Sequence, residues 1–585
     1  MHALLLALPL TLSLSKGAAP LLQTVEEASN GTKTGRYEEV QRLCETFPKA
    51  FSGKVRCEKF GVTPEGRPML ALIAGEGAGA LDAKKVKASK RPVVLLQGGI
   101  HAGEIDGKDA GFRLLKALLG GKEDKALLKA VTLVFIPVFN VDGHERFGAN
   151  HRPNQRGPEE MGWRTTAQNL NLNRDAAKAE APETQALLQF LNAWDPILLA
   201  DLHVTDGAKF QHDVAVLVQP VQVGKQPLLG LAEAAQQTVF AELKAKDHQP
   251  LDFYPSFTED EKPESGFAYG IAPPRYETSY WATRNRIGVL VEAHSWRPYA
   301  QRVQTTYDVC LALVRAAAKD GAKWLEAASA LDKEGEATGG TQQTLTWEAG
   351  KATRTLEFLG YAYTREDSPV SGQKWIRYDE SKPQVWKIPL RHELLPKLQA
   401  TAPKGGYVVA APHAGWVAQK LLLHGISYEV LKAAKPAAPV ESFRATEAKF
   451  RGGAYEGRLL VDVKGAWAKD QRDLPAGSLF VPITQARAVL AMHLFEPTAP
   501  DSFVSWGFFN AHFERKEYME DYVAEEVARA MLSDGGVKAE FDALLKADAG
   551  FAKSPAARLE FFYARHPSYD DRLNLVPVYR VDAKP

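Results

Sequence analysis

Cysteine is scarce in this chain: 3 among 585 residues, at Cys44, Cys57 and Cys310. That excludes a disulfide-scaffolded fold, and the spacing excludes a thiolate zinc site. Any metal must therefore be held mainly by His, Asp or Glu. An excess of one charge is also lacking, with 72 Lys+Arg against 71 Asp+Glu. Without a net basic field, a nucleic-acid partner or an anionic membrane surface is disfavoured. Internal repeats and low-complexity tracts are absent. What is present is ordinary: 45% hydrophobic and 24% charged residues, enough for a core, in a chain long enough for two or three domains.

One apolar run stands out, Ala3–Leu14 (ALLLALPLTLSL). It is too short to span a bilayer but fits the hydrophobic region of a secretory signal. Gly17-Ala18-Ala19 supplies small residues for cleavage after Ala19, although no Lys or Arg precedes the run. The expectation is a signal peptide over 1–19 and a secreted or periplasmic protein. No later run reaches membrane-spanning length. In an oxidising compartment Cys44 and Cys57 can pair, leaving Cys310 free; buried thiols are the alternative.

Over residues 20–334, short apolar runs alternate with helical patterns, which reads as an α/β sheet with covering helices. The runs are Pro92–Gln97, Thr132–Phe139, Ile197–Leu202, Val214–Val218 and Ile287–Val291. Gly335-Glu-Ala-Thr-Gly-Gly-Thr341 reads as part of a linker over 335–343. Residues 344–585 then read as a smaller mixed α/β accessory domain. Strands are expected at Thr344–Glu348 and Arg354–Tyr363, a helix at Ala414–Leu423, and an amphipathic helix through Met519, Val523, Val527 and Met531.

His101-Ala-Gly-Glu104 directly follows the apolar run VVLLQGGI. A His and a Glu three apart on a first helical turn point the same way and can reach one ion, which predicts a helix over Glu104–Leu119. The pair alone is weak in a chain with 14 His, and His493-Leu-Phe-Glu496 matches the same pattern. That second match lies in an apolar helical stretch before Pro497 with no companion ligand, and reads as a packed helix end. The first has company. His203 follows the run ILLADL, and in open α/β sheets sites form at the carboxyl ends of strands. His101, Glu104 and His203 therefore make a candidate zinc set, since a catalytic zinc takes three protein ligands plus a water.

Glu292 ends the run Ile287–Val291, and a carboxylate there is costly unless it is paired or used. Beside an activated water it would be a general base. Pairing with Arg284, Arg286 or Arg297 is the alternative. Between the ligands lies Arg164-Thr-Thr-Ala-Gln-Asn-Leu-Asn-Leu-Asn173-Arg174-Asp175. Arg174 with Asn173 can grip a carboxylate, and Arg164 can either hold the substrate carbonyl or stabilise an oxyanion; a solvated polar loop is the alternative.

The ordered set His101-Ala-Gly-Glu104, Asn140-Val-Asp-Gly143, Arg164, Asn173-Arg174, His203 and Glu292 resembles the zinc carboxypeptidases related to carboxypeptidase A. Gly35–Val40 and Gly61–Pro68 also look like that family's N-terminal region, so the resemblance spans about residues 25–325. It implies a mixed, mostly parallel central β-sheet flanked by helices, one Zn²⁺ per chain, and hydrolysis of the amide bond beside a terminal carboxylate. Val141 stands where the family usually has Pro. The family's substrate-binding tyrosine has three candidates here, Tyr269, Tyr276 and Tyr280, of which Tyr280 is favoured. Arg152 and Arg156 are alternatives to Arg164. Peptides and N-acyl amino acids are both possible substrates on such a scaffold, as are cell-wall peptides. The rival of another class is a binding module with a decayed site, in which the C-terminal domain does the work.

Overall fold

The computed structural model describes residues 20–585. The expected signal peptide, 1–19, lies outside the described residues. Near the N-terminus, helix α1 (Tyr37–Ala50) packs against strand β1 (Val55–Val62), and Cys44 and Cys57 are joined in a disulfide with a Cα–Cα distance of 5.3 Å. Cys310 is a buried free thiol.

The centre is an eight-stranded sheet built from β1, β2 (Pro68–Ala74), β3 (Val93–Gly98), β4 (Thr132–Ile136), β5 (Leu198–Thr205), β6 (Val214–Gln219), β7 (Pro250–Leu251) and β8 (Ile287–His294). Its spatial order is β1-β2-β4-β3-β5-β8-β6-β7. The middle, β4-β3-β5-β8, is parallel, whereas β2 runs against β4 and β6 against β8. The expected mixed, mostly parallel sheet flanked by helices is therefore present. Every residue of β3, β4 and β5 is buried. Helices cover both faces there, so these strands read as continuous apolar runs rather than alternating ones.

Helix α2 (Asp106–Gly120) begins two residues later than expected. His101–Glu104 is instead a turn closed by Glu104 N–H donating to His101 O at 2.9 Å. The start of α2 is anchored by Arg302, whose Nε donates to Asp106 at 2.8 Å in full burial. Arg302 belongs to α3 (Tyr299–Gly335), a 37-residue helix across one face of the sheet. This fixes the turn that carries Glu104 against the sheet's interior.

Over residues 335–343, α3 ends at Gly335, Thr338 is buried, and a strand starts at Gln342. The C-terminal region adds long antiparallel hairpins, including Thr353–Asp367 with Lys374–Arg391. A six-stranded sheet follows, containing β9 (Lys435–Phe450) and β10 (Val461–Leu474). The helix expected at Ala414–Leu423 spans Ala411–His424, and the late amphipathic helix spans Asp521–Met531. One continuous apolar cluster runs from Leu22 to Val578 and joins both halves of the chain.

Candidate metal centre and its cavity

Parallel pairing of β3, β5 and β8 sets the site. The register aligns Gln97 with Asp201, and His203 with Glu292, so the strand ends bring these side chains together. Gly99, at φ 66, turns the chain out of β3 and delivers His101 to the same edge. That conformation favours glycine.

His101, Glu104 and His203 are all buried, with one donor atom from each within 4.8 Å of the others. His101 Nδ1 lies 3.0 Å from Glu104 Oε1, and His203 Nδ1 lies 2.9 Å from Glu104 Oε2. The far side of each ring is held as well. His203 Nε2 lies 2.7 Å from Asp201 Oδ2, and His101 Nε2 lies 3.1 Å from Asn171 Oδ1. The Asn171 oxygen also accepts the Asn173 N–H at 3.0 Å, which fixes the amide's orientation. A proton on Nε2 of each ring, shared with these acceptors, would leave both Nδ1 lone pairs facing the Glu104 carboxylate. Acceptors facing acceptors in a buried space call for a cation, and two His nitrogens with one carboxylate suit zinc.

Against the lowering effect of burial, Asp201 and Glu104 hold the His203 imidazole well above its ordinary value, so a bound cation would take the place of its Nδ1 proton. Burial pulls the His101 imidazole down to about 4, leaving it neutral. Burial alone would raise Glu104, yet His101 and Arg152 hold its carboxyl well below the usual range. Burial pushes Glu292 up to about 8, with Glu104 and Asp201 adding and His203 and Arg152 opposing. Its Oε2 is buried and has no hydrogen-bond partner among the described residues. The expected alternative, an ion pair with a neighbouring Arg, is not made: Arg286 bonds Asp195 and Asp332, and Arg297 donates to Gln211 O.

A cavity of about 470 Å³ opens on these groups, lined by His101, Arg164, Asn173, Arg174, Tyr276 and Glu292 among others. Arg164 Nη1 sits 3.4 Å from Glu104 at the cavity wall. Arg152 is 2.9 Å from the same oxygen but is buried behind it and also pairs with Asp206. Arg156 pairs with Glu380 on the hairpin instead. Of the three arginines considered, Arg164 is the one that reaches the cavity.

Tyr280 does not reach it. Its ring is fully buried and its hydroxyl lies 3.0 Å from His424 Nδ1. Tyr276 lines the cavity instead, with the Arg174 guanidinium 4.3 Å over its ring. Tyr276 is the N-cap of the helix Glu277–Thr283, in extended backbone, so it faces differently from Tyr280 inside the helix. Tyr269 donates to Asp252 at 2.8 Å. Sequence reasoning also missed Tyr254, which lines the cavity and is pushed up by Glu292 and by burial. Asp201 was missed too, although it sits two residues before His203 on one strand and hence on the same face.

The second His-x-x-Glu is structural. Glu496 accepts from Trp467 Nε1 at 3.1 Å and Arg580 Nη2 at 2.6 Å, and from the Tyr407 hydroxyl.

Among solved structures, a metallo-carboxypeptidase from Burkholderia cenocepacia is 17% identical, with 48% of this chain and 69% of that chain covered at a TM-score of 0.35. A metallo-carboxypeptidase from Pseudomonas aeruginosa, in complex with (2-guanidinoethylmercapto)succinic acid, is 18% identical, with 49% and 69% covered at 0.36. The carboxypeptidase A from Helicoverpa armigera is 16% identical, with 52% and 80% covered at 0.35. A search of curated proteins found no match. Residues 40–216, which include His101, Glu104 and His203, match the model of the zinc carboxypeptidase family, peptidase M14.

Proposed function

We propose that this chain is a zinc metallocarboxypeptidase that hydrolyses the amide bond next to a free C-terminal carboxylate. The observation that carries this reading is one cavity joining three features. They are His101 of the His101–Glu104–His203 donor set, the carboxylate of Glu292 with its unpartnered Oε2, and the Asn173–Arg174 pair.

His101 Nδ1, His203 Nδ1 and a Glu104 oxygen would hold the ion. Bound there, zinc supplies a Lewis acid for the scissile carbonyl and makes a water acidic enough to attack near neutral pH. Glu292 accepts that water's proton and passes it to the leaving amine. A buried carboxyl has the raised proton affinity this shuttle needs, and a bound cation would bring it down toward neutrality. Arg164 donates to the oxyanion as it forms. Asn173 and Arg174 bind the terminal carboxylate, a charge-assisted contact that a neutral end group cannot make.

An intact base argues against a decayed site, because holding a metal requires no Glu292. A peptide or an N-acyl amino acid satisfies the same three contacts. The Cys44–Cys57 disulfide supports the secreted or periplasmic location expected from the N-terminus. No helix of the described residues is long and apolar enough to cross a membrane.

The test is one purified sample assayed for zinc and for hydrolysis of a peptide with a free C-terminus, beside the same peptide amidated. One zinc per chain and strong preference for the acid are expected. Metal-free protein, or equal cleavage of both peptides, would refute the assignment.

A further inference from the structure

One turn from the C-terminal half reaches the carboxylate end of the cavity. It joins β9 to β10 and is closed by Tyr455 N–H donating to Arg458 O at 2.8 Å and Arg458 N–H to Tyr455 O at 3.0 Å. Its central residues, Glu456 at φ 49 and Gly457 at φ 77, are both left-handed, the tight two-residue form of a hairpin turn. Such a turn projects its side chains from a rigid base.

Three of those side chains land on the segment 171–180. Tyr455 hydroxyl accepts from Arg174 Nε at 3.0 Å. Glu456 accepts the backbone N–H of Asn171 at 2.8 Å. Arg458 Nε donates to Glu180 at 3.0 Å. Tyr455 is itself fixed from behind, its ring stacked on Trp506 at 5.9 Å and 18°. Trp506 is fully buried, and its Nε1 donates to Asp501, which also pairs with Arg275 at 2.7 Å.

Arg174 is consequently held on three sides. Nε is spent on Tyr455, Nη1 on Asn173 O at 2.6 Å, and its face on the Tyr276 ring. Nη2 makes no hydrogen bond among the described residues, and Arg174 lines the cavity. The one end left free is therefore the end that a carboxylate would meet.

We infer that Tyr455 is a positioning residue that fixes the Arg174 guanidinium, so that the C-terminal half completes the carboxylate pocket and sets the preference for acid-ended substrates. The inference rests on the carboxypeptidase reading above. A free arginine side chain must be immobilised each time substrate binds, whereas one already held avoids that cost. Tyr455→Phe removes the acceptor and leaves the ring on Trp506.

The experiment uses the full chain as wild type, Tyr455→Phe, Arg174→Ala and the double variant, each with a peptide acid and its amidated counterpart. In Tyr455→Phe, KM for the acid should rise about 3- to 10-fold, the scale of immobilising one long side chain. Its kcat should stay within about twofold, with amide kinetics unmoved, because the interaction is made equally in ground and transition states. In the Arg174→Ala background, Tyr455→Phe should change nothing further. An acid KM unchanged in Tyr455→Phe, while Arg174→Ala loses the acid selectively, would overturn the inference and spare the carboxypeptidase reading. So would an effect of Tyr455→Phe that persists without Arg174. If Arg174→Ala shows no acid-selective loss, both fall together.

Discussion

Replacing Asp201 with Ala probes how the candidate zinc ligands are set, because Asp201 lines the cavity but is not one of the three donors. Its Oδ2 accepts the Nε2–H of His203 at 2.7 Å, and both groups are almost fully buried. That bond keeps the ring proton on Nε2 and the Nδ1 lone pair toward the Glu104 side. Without Asp201, Nε2–H loses its charged acceptor, while Nδ1 still faces Glu104 Oε2 at 2.9 Å. The proton then moves to Nδ1, where it bonds Glu104 and occupies the donor position that a metal needs. Zinc must displace it. Loss of such an outer partner weakens metal binding about 10- to 100-fold, or about 1.4–2.7 kcal/mol. His101 supplies an internal standard, since its Nε2 faces the neutral amide oxygen of Asn171 at 3.1 Å. A hydrogen bond to a neutral acceptor has about half the strength of one to a charged acceptor. Asn171→Ala should therefore cost about half that free energy, about 3- to 10-fold in affinity. Competitive titration of zinc against a chromophoric chelator reads both values without reference to turnover. Wild-type zinc affinity in Asp201→Ala, or a larger loss in Asn171→Ala than in Asp201→Ala, would refute the reasoning.

Glu292→Gln should keep zinc bound while turnover drops about 10²–10⁴-fold, the usual contribution of a positioned base; metal analysis beside steady-state kinetics checks it, and lost metal would mean that Glu292 coordinates the ion. Glu496→Ala should destabilise the protein by about 3–5 kcal/mol by stranding buried Arg580, with zinc content unchanged, as read by denaturant unfolding and metal analysis. His248 is raised to about 9 by hydrogen bonds to Asp213 and Asp308. A raised folded value stabilises fully below the unfolded value of about 6.5 and is lost as pH climbs through 9, so the melting-temperature gap between wild type and His248→Gln should be widest near pH 6 and close above pH 9.

The contrast between what was legible and what was not follows from how each part is built. The runs at β3, β5 and β8 are apolar throughout because helices cover both faces, so their ends, and hence His101, His203 and Glu292, could be located from sequence alone. The cross-strand partnership of His203 with Glu292 is a matter of register, which the apolar runs do not carry. Tyrosine selection failed for a local reason: Tyr276 and Tyr280 differ in backbone, one capping a helix and one inside it, and spacing does not carry that difference. Burial of Trp506 is what makes it a platform for Tyr455. No local pattern could reveal that contact, because Tyr455 and Arg174 are separated by 281 residues and meet only when two sheets dock. The proposed chemistry of bond cleavage is thus written into strand ends of one sheet, each readable where it stands. In the proposed function, recognition of the substrate's end is written across the junction of the two halves, where the Tyr455 hydroxyl acquires meaning only from the arginine it holds.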